Sequence, residues 1–423
     1  MADTYDLAQT VELLNFAANG ASSISATQSQ LQGYLQTYLN GGTTPINTPF
    51  AGFFPQMNSQ LAGGDWRVVW GPVVYSTKPD SEAEAANAMY VAYSANLAMY
   101  VVAIAATNPA SIYDWVAEDG DVSPLRMAEW PPSLPFSVST HLPPLGFKPY
   151  ISAATARGLS NLLTQMSDPA NQGTLQSFLK SKTDANATLV FTGHSLAGAL
   201  SPTLALYLYP DPPSSGWKNV FVLPTAGASP GNAKFAQLFV SAYPQTAIEG
   251  VNQPYGFWNV DFANQNDVVP HAWNQLSNVV QPQDEAGNYP SFFGVLSQAI
   301  GSKLRDAVIA AEALSGGSLE YQNLTQSVFA PQWGTWQNTW DATTQQYQYP
   351  AEWVSFPVYT DQNPLSTVEE LGAALEATHI SQYFRFFNMA PPPKMATKQP
   401  QAQDGAMSLQ KRLLLAAAAI SHA

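Results

Sequence analysis

The stretch that could do chemistry is Phe191-Thr192-Gly193-His194-Ser195-Leu196-Ala197-Gly198-Ala199-Leu200. A serine hydroxyl attacks a carbonyl only if a base takes its proton and donors stabilise the oxyanion that forms. Ahead of Ser195, Ala187-Thr188-Leu189-Val190-Phe191 is apolar and partly β-branched, which predicts a buried strand. Behind it, Leu196, Leu200, Leu204 and Leu208 recur at helical spacing. A chain that passes from strand to helix through Gly-x-Ser holds the serine at the tip of a tight, strained turn. The helix start then aims free N–H groups and partial positive charge at the place where an oxyanion would form. Two features depart from the usual pattern. Gly-x-Ser-x-Gly closes here on Ala197, with Gly198 one further on, and Pro202 lies where it should kink the helix.

Composition narrows the substrates. The 423 residues carry a formal charge of −14, which argues against nucleic acid and against anionic membrane surfaces. Neutral or zwitterionic lipid and small esters remain. There is no cysteine, so thiolate catalysis, disulfides and Cys-held metal are excluded. With 46% hydrophobic and only 11% charged residues, a large core is available. No apolar run reaches the ~20 residues of a membrane span. The first residues show no signal-peptide pattern.

The serine segment resembles the Gly-His-Ser-Leu-Gly-Gly-Ala turn of the fungal-type triacylglycerol lipases, the lipase class three family. The resemblance implies an α/β-hydrolase fold: a mostly parallel central sheet with helices on both faces. It also implies a triad in the order Ser195, Asp267, His379. Asp267 opens Asp267-Val268-Val269-Pro270, similar to the family's Asp-x-Val-Pro loop, where the aspartate is the triad acid. Asp261 competes for that role from within the preceding strand. His379 with Tyr383-Phe384 resembles the family's closing His and Tyr-Phe pair. The other four histidines fit less well: His141 in a proline-rich loop, His194 beside the nucleophile, His271 just past Asp267, and His422 in the tail.

The backbone N–H of Leu196 and the residue Thr107 fall at the family's oxyanion positions. Ala105 and Ala106 stand where the family has Arg and Gly, and an N-cap before a helix is the alternative role for Thr107. Trp115 and His194 are candidates for lid or substrate contact, although a turn of this kind directs His194 away from the serine. Gly227-Ala228-Ser229-Pro230-Gly231-Asn232 resembles a further loop of the family. The chemistry needs no metal and no organic cofactor.

The elements that must position these groups follow from periodicity. Residues 1–64 read as a helical lead-in, with Leu7, Val11 and Leu14 on one helix face and Leu31, Tyr34, Leu35 and Tyr38 on another. Residues 65–390 read as the hydrolase domain, with a lid or cap over about 108–148 and an aromatic-rich insertion over about 281–360. Strands are expected at Trp66–Tyr75, Ala88–Tyr93, Met99–Ala105, Asn219–Leu223 and Phe257–Phe262, and helices through Leu159–Met166 and Leu296–Val308. Ser366 with Glu369 suggests a capping box for a helix running to His379. Residues 391–423 read as a Pro/Gln-rich tail with a short apolar helix.

The expected function is a serine carboxylester hydrolase cleaving acylglycerol-type lipid esters through an acyl-enzyme, at a lipid–water interface. A phospholipase A1 or a hydrolase of aromatic or cell-wall esters is the alternative within the enzymes. A lipid-binding or interaction protein on the same fold, without activity, is the alternative outside them. The family favours an extracellular location, with the cytoplasm as the alternative. The sequence does not set the oligomeric state.

Overall fold

The structure is a computed structural model. It describes residues 4–105, 122–123, 126–137, 147–168, 170, 173–291, 293–315, 321–331 and 359–395. Its centre is a seven-stranded sheet made of β1 (Arg67–Tyr75), β2 (Asn87–Ser94), β3 (Met99–Ile104), β4 (Thr188–His194), β5 (Asn219–Thr225), β6 (Asp261–Asn264) and β7 (Gln326–Phe329). The strands lie side by side in chain order. The β1–β2 and β2–β3 pairs are antiparallel, and every pair from β3 to β7 is parallel. This is the mostly parallel α/β sheet that the resemblance implied.

The parallel strands are buried on both faces, and period-2 alternation assigns their side chains. On one face lie Val101 and Ala103 of β3, Val190 of β4 and Leu223 of β5, in one core with Val11 and Leu14. The other face carries Val102, Ile104, Leu189, Phe191 and Val222. Helices α3 (Ala153–Thr164), α4 (Leu175–Lys182), α5 (Leu196–Leu208) and α6 (Ala233–Ala242) cover that second face. The first face is covered by α1 (Leu7–Ala18) and α2 (Gln28–Asn40).

Helix α1 is more than a lead-in. Every residue from Ala8 to Ala18 is buried, and the helix packs on β2, β3, β4 and β5. Its apolar positions go all round, as expected of a helix enclosed by its own domain. A capping box fixes its start: the Asp6 side chain accepts from Gln9 N, and the Gln9 side chain accepts from Asp6 N.

Three expectations need correction. Phe257–Phe262 is not one strand: Phe257–Trp258 pairs elsewhere, and β6 begins at Asp261. Between them Asn259 adopts φ +65°, and its side chain bonds Val222 N and Pro244 O, which breaks the extended run. The last capping box is one residue later than read, with Thr367 as cap and Glu370 as partner of α8 (Val368–Glu376). Phe329 is not part of an appended unit. It sits in β7, stacked on Phe386 with ring centroids 4.0 Å apart, so the residues around it complete the main sheet. Helix α7 (Gln298–Ser315) forms where the Leu296–Val308 periodicity placed it. The other aromatic residues assigned to the insertion, Trp333 to Phe356, lie outside the described residues, as does the tail from 396 onward.

Candidate active site

Ser195 ends the run of β4 and begins α5, with φ 62° and ψ −127°. That region of backbone space is tolerated by glycine and strained for serine. The turn is crowded. A Cβ on Gly193 would lie 2.2 Å from the Ala197 carbonyl oxygen, and one on Gly198 would lie 2.5 Å from the Thr225 carbonyl oxygen. The need for glycine therefore falls on 193 and 198. Ala197 is fully buried and fits, which explains why the motif closes one residue late. The helix continues through Pro202 to Leu208.

Leu196 is the first residue of α5, so its N–H belongs to the first turn, which has no intrahelical acceptor. Thr107 and Trp115 lie outside the described residues, as does His141.

Asp267 is fully buried in the loop after β6. Its Oδ2 lies 2.8 Å from His379 Nδ1 and accepts from the Tyr383 hydroxyl at 2.9 Å, while Oδ1 accepts from Val269 N at 3.1 Å. Tyr383 in turn accepts from Asn264 N at 3.1 Å. The competing Asp261 is turned elsewhere: it accepts from Gly227 N at 3.1 Å and from Gln326 Nε2 at 2.9 Å. Burial lifts the Asp261 carboxyl to about 7, so it is part protonated at neutral pH.

His379 lies in a π-helical turn, Ala377–Ser381, between α8 and α9 (Gln382–Phe386). The wider turn is where one extra residue enters a helix, and such turns often re-aim a side chain. Asn264 Nδ2 holds this turn by donating to Thr378 O at 2.7 Å. Ser195 Oγ and His379 Nε2 are both buried and make no hydrogen bond within the described residues. His194, the neighbour of Ser195 in sequence, touches His379 directly: their ring centroids are 4.7 Å apart, and His194 Nε2 lies 2.7 Å from the His379 carbonyl oxygen.

His194 therefore does not sit on the substrate side. Its other nitrogen, Nδ1, is 2.9 Å from Thr225 Oγ1, and the ring is enclosed by Phe16 and Tyr383. With both nitrogens engaged it has none left for a ligand. Burial, with the nearby His379, pushes its pKa well below the usual imidazole value, so it is neutral. Two residues at this site escaped sequence reading, Glu12 and Thr225. Glu12 Oε1 lies 2.9 Å from Thr225 Oγ1. The available signal was a lone carboxylate inside the apolar run Val11-Glu12-Leu13-Leu14.

The sheet and the strand–serine–helix turn define an α/β-hydrolase. Residues 101–276, which include the turn and Asp267, match the family described as lipase (class 3), so the resemblance read from the serine segment holds. That match supports a carboxylic ester hydrolase that is triacylglycerol-lipase-like. Among solved structures it is similar to the M37 lipase, with 22% identity over 91% of this chain and 95% of that one and a TM-score of 0.59. Lipase from Rhizopus microsporus var. chinensis matches at 16% identity over 66% of this chain and 74% of that one, TM-score 0.37. The Rhizomucor miehei lipase propeptide complex matches at 15% identity over 64% and 65%, TM-score 0.37. No curated protein matches the chain. No helix among the described residues is long and apolar enough to cross a membrane.

Proposed function

We propose that the protein hydrolyses acylglycerol-type lipid esters through an acyl-enzyme on Ser195. His379 Nε2 takes the hydroxyl proton as Oγ attacks the ester carbonyl, then returns it to the leaving alcohol. Asp267 holds the imidazole with Nδ1–H toward itself and stabilises the imidazolium. The Leu196 N–H faces the oxyanion, and Thr107 takes the second donor role by its sequence position; losing one such donor typically costs about 3–4 kcal/mol in the barrier. Water then attacks the acyl-enzyme, with His379 again as base, and releases the acid.

The observation that carries this reading is the buried His379–Asp267 contact at 2.8 Å, with Nε2 left without a hydrogen bond among the described residues. Only a triad-like role uses both facts together. The −14 charge favours an uncharged or zwitterionic ester over an anionic surface. The test is hydrolysis of p-nitrophenyl esters by Ser195→Ala. Turnover should vanish while the circular dichroism spectrum is retained; unchanged turnover refutes the assignment.

A further inference from the structure

The alternation along β4 and β5 sends His194 and Thr225 to the same face of the sheet as α1. They are register partners in neighbouring parallel strands. Glu12 meets them there, fully buried. A line of contacts runs from α1 to the turn that bears His379: Glu12 Oε1 to Thr225 Oγ1 at 2.9 Å, Thr225 Oγ1 to His194 Nδ1 at 2.9 Å, and His194 Nε2 to the His379 carbonyl oxygen at 2.7 Å. Asn15 Nδ2 donates to the second Glu12 oxygen, Oε2, at 3.0 Å. The same helix grips the chain beyond His379, since Gln9 Nε2 donates to Phe387 O at 2.7 Å and to Asn388 O at 3.1 Å.

The protons along this line can be counted. A carbonyl oxygen only accepts, so His194 must carry its hydrogen on Nε2. A neutral ring then has a bare Nδ1, which only accepts. The Thr225 hydroxyl must therefore donate to Nδ1, and its oxygen is left to accept from Glu12. A carboxylate cannot donate, so the Glu12 carboxyl has to keep its proton.

We propose that Glu12, in its protonated form, is a positioning residue for the base: through Thr225 and His194 it fixes the backbone of His379, and losing that proton loosens the turn. The proposal rests on the reading of His379 as the base. The burial of Glu12 agrees with it. Burial lifts the Glu12 carboxyl to about 8, against the opposing hydrogen bond that Asn15 donates to it. Other groups face the line from each packed element. They are Asp261 on β6, whose charge raises Glu12 further, and His379 and Tyr383 beside the His194 ring. Asn15 Nδ2 also turns a donor toward Thr225 Oγ1, but at 3.5 Å, against 2.9 Å for the Glu12 contact, so the short contact still needs the Glu12 proton.

The test is the pH profile of kcat on a soluble p-nitrophenyl ester. Wild type should show an alkaline limb near the Glu12 value of about 8. Glu12→Ala should lower kcat about tenfold to a hundredfold at pH 7, because the base is misplaced, with KM changed by less than about twofold. Glu12→Gln should restore most of that loss, since its amide N–H can donate to Thr225. It should also move the alkaline limb up by about one pH unit or more, because Gln carries no proton to lose. A Glu12→Gln limb identical to wild type overturns the proposal, as does wild-type kcat in Glu12→Ala. If the alanine variant fails to fold, ¹⁵N NMR of histidine-labelled wild type decides: His194 should show a protonated Nε2 and a bare Nδ1, and a protonated Nδ1 overturns the assignment. Failure here is separable from failure of the function itself. If Ser195→Ala stays active the catalytic reading falls. If it is dead while Glu12→Gln behaves as wild type, only this inference falls.

Discussion

His379 Nδ1 stands 2.8 Å from Asp267 Oδ2, joining residues 112 apart in the chain. Neither group reaches the other by local structure. The carboxylate rides on the loop after β6, and the imidazole on a π-helical turn that Asn264 pins to the same strand end. The end of strand β6 thus bears on both partners.

Asp267→Asn tests that pairing. The amide would leave Oδ2 replaced by a donor or rotated away, and His379 would lose the partner that selects its tautomer. We expect kcat to fall by about three to four orders of magnitude with the fold retained. Steady-state kinetics with a thermal melt as control check it; a loss under about tenfold would mean another group orients the ring.

Ser195→Gly should be inactive and yet more stable than wild type. The strained φ of 62° is relaxed in glycine, and a buried hydroxyl with no hydrogen bond among the described residues is removed. The expected gain is about 1–2 kcal/mol, read from urea denaturation. A destabilised variant would contradict the strain argument.

Gly198→Ala should be damaging where Ala197 is not. The added methyl would meet the Thr225 carbonyl oxygen at 2.5 Å and Gly227 Cα at 2.8 Å, both backbone. Overpacking of this kind costs about 1–3 kcal/mol, and here it also shifts the start of α5 away from β5. Denaturant midpoints and ester hydrolysis should fall together.

Stability should decline as pH rises toward 8. Two buried carboxyls hold their protons when folded: Glu12 to about 8 against an ordinary value of 4.5, and Asp261 to about 7 against 3.8. The folded state binds protons that the unfolded chain has released, so their stabilisation is full below the unfolded values and lost as pH climbs through the folded ones. His194 acts in the opposite direction. Its pKa is depressed below 6.5, so its contribution is lost as pH falls through the depressed folded value. Urea unfolding across pH should therefore show a maximum on the acid side of neutrality, and Glu12→Gln should flatten the alkaline slope.

Much of this was legible in the sequence because it is written locally. β-branched and apolar runs announced β1 to β5, and Gly193-His194-Ser195 announced the turn that joins β4 to α5. The break at Asn259 was not legible, since it depends on bonds to Val222 and Pro244 from distant loops. Phe329 read as part of an aromatic insertion because its partners, Phe386 and the strand β6, lie far off in sequence. The side of the sheet that His194 faces follows from counting alternate residues along β4. Its contact with Glu12 does not, because nothing local brings α1 under β4 and β5.

The central claim is that the hydroxyl of Ser195 is activated by the imidazole of His379. Fluorophosphonate labelling of the folded protein, with the modified peptide identified by mass spectrometry, tests it most directly. The account predicts rapid, single-site labelling on Ser195 that Asp267→Asn slows sharply. A folded wild-type protein that stays unlabelled, or that carries the label on another residue, would contradict it.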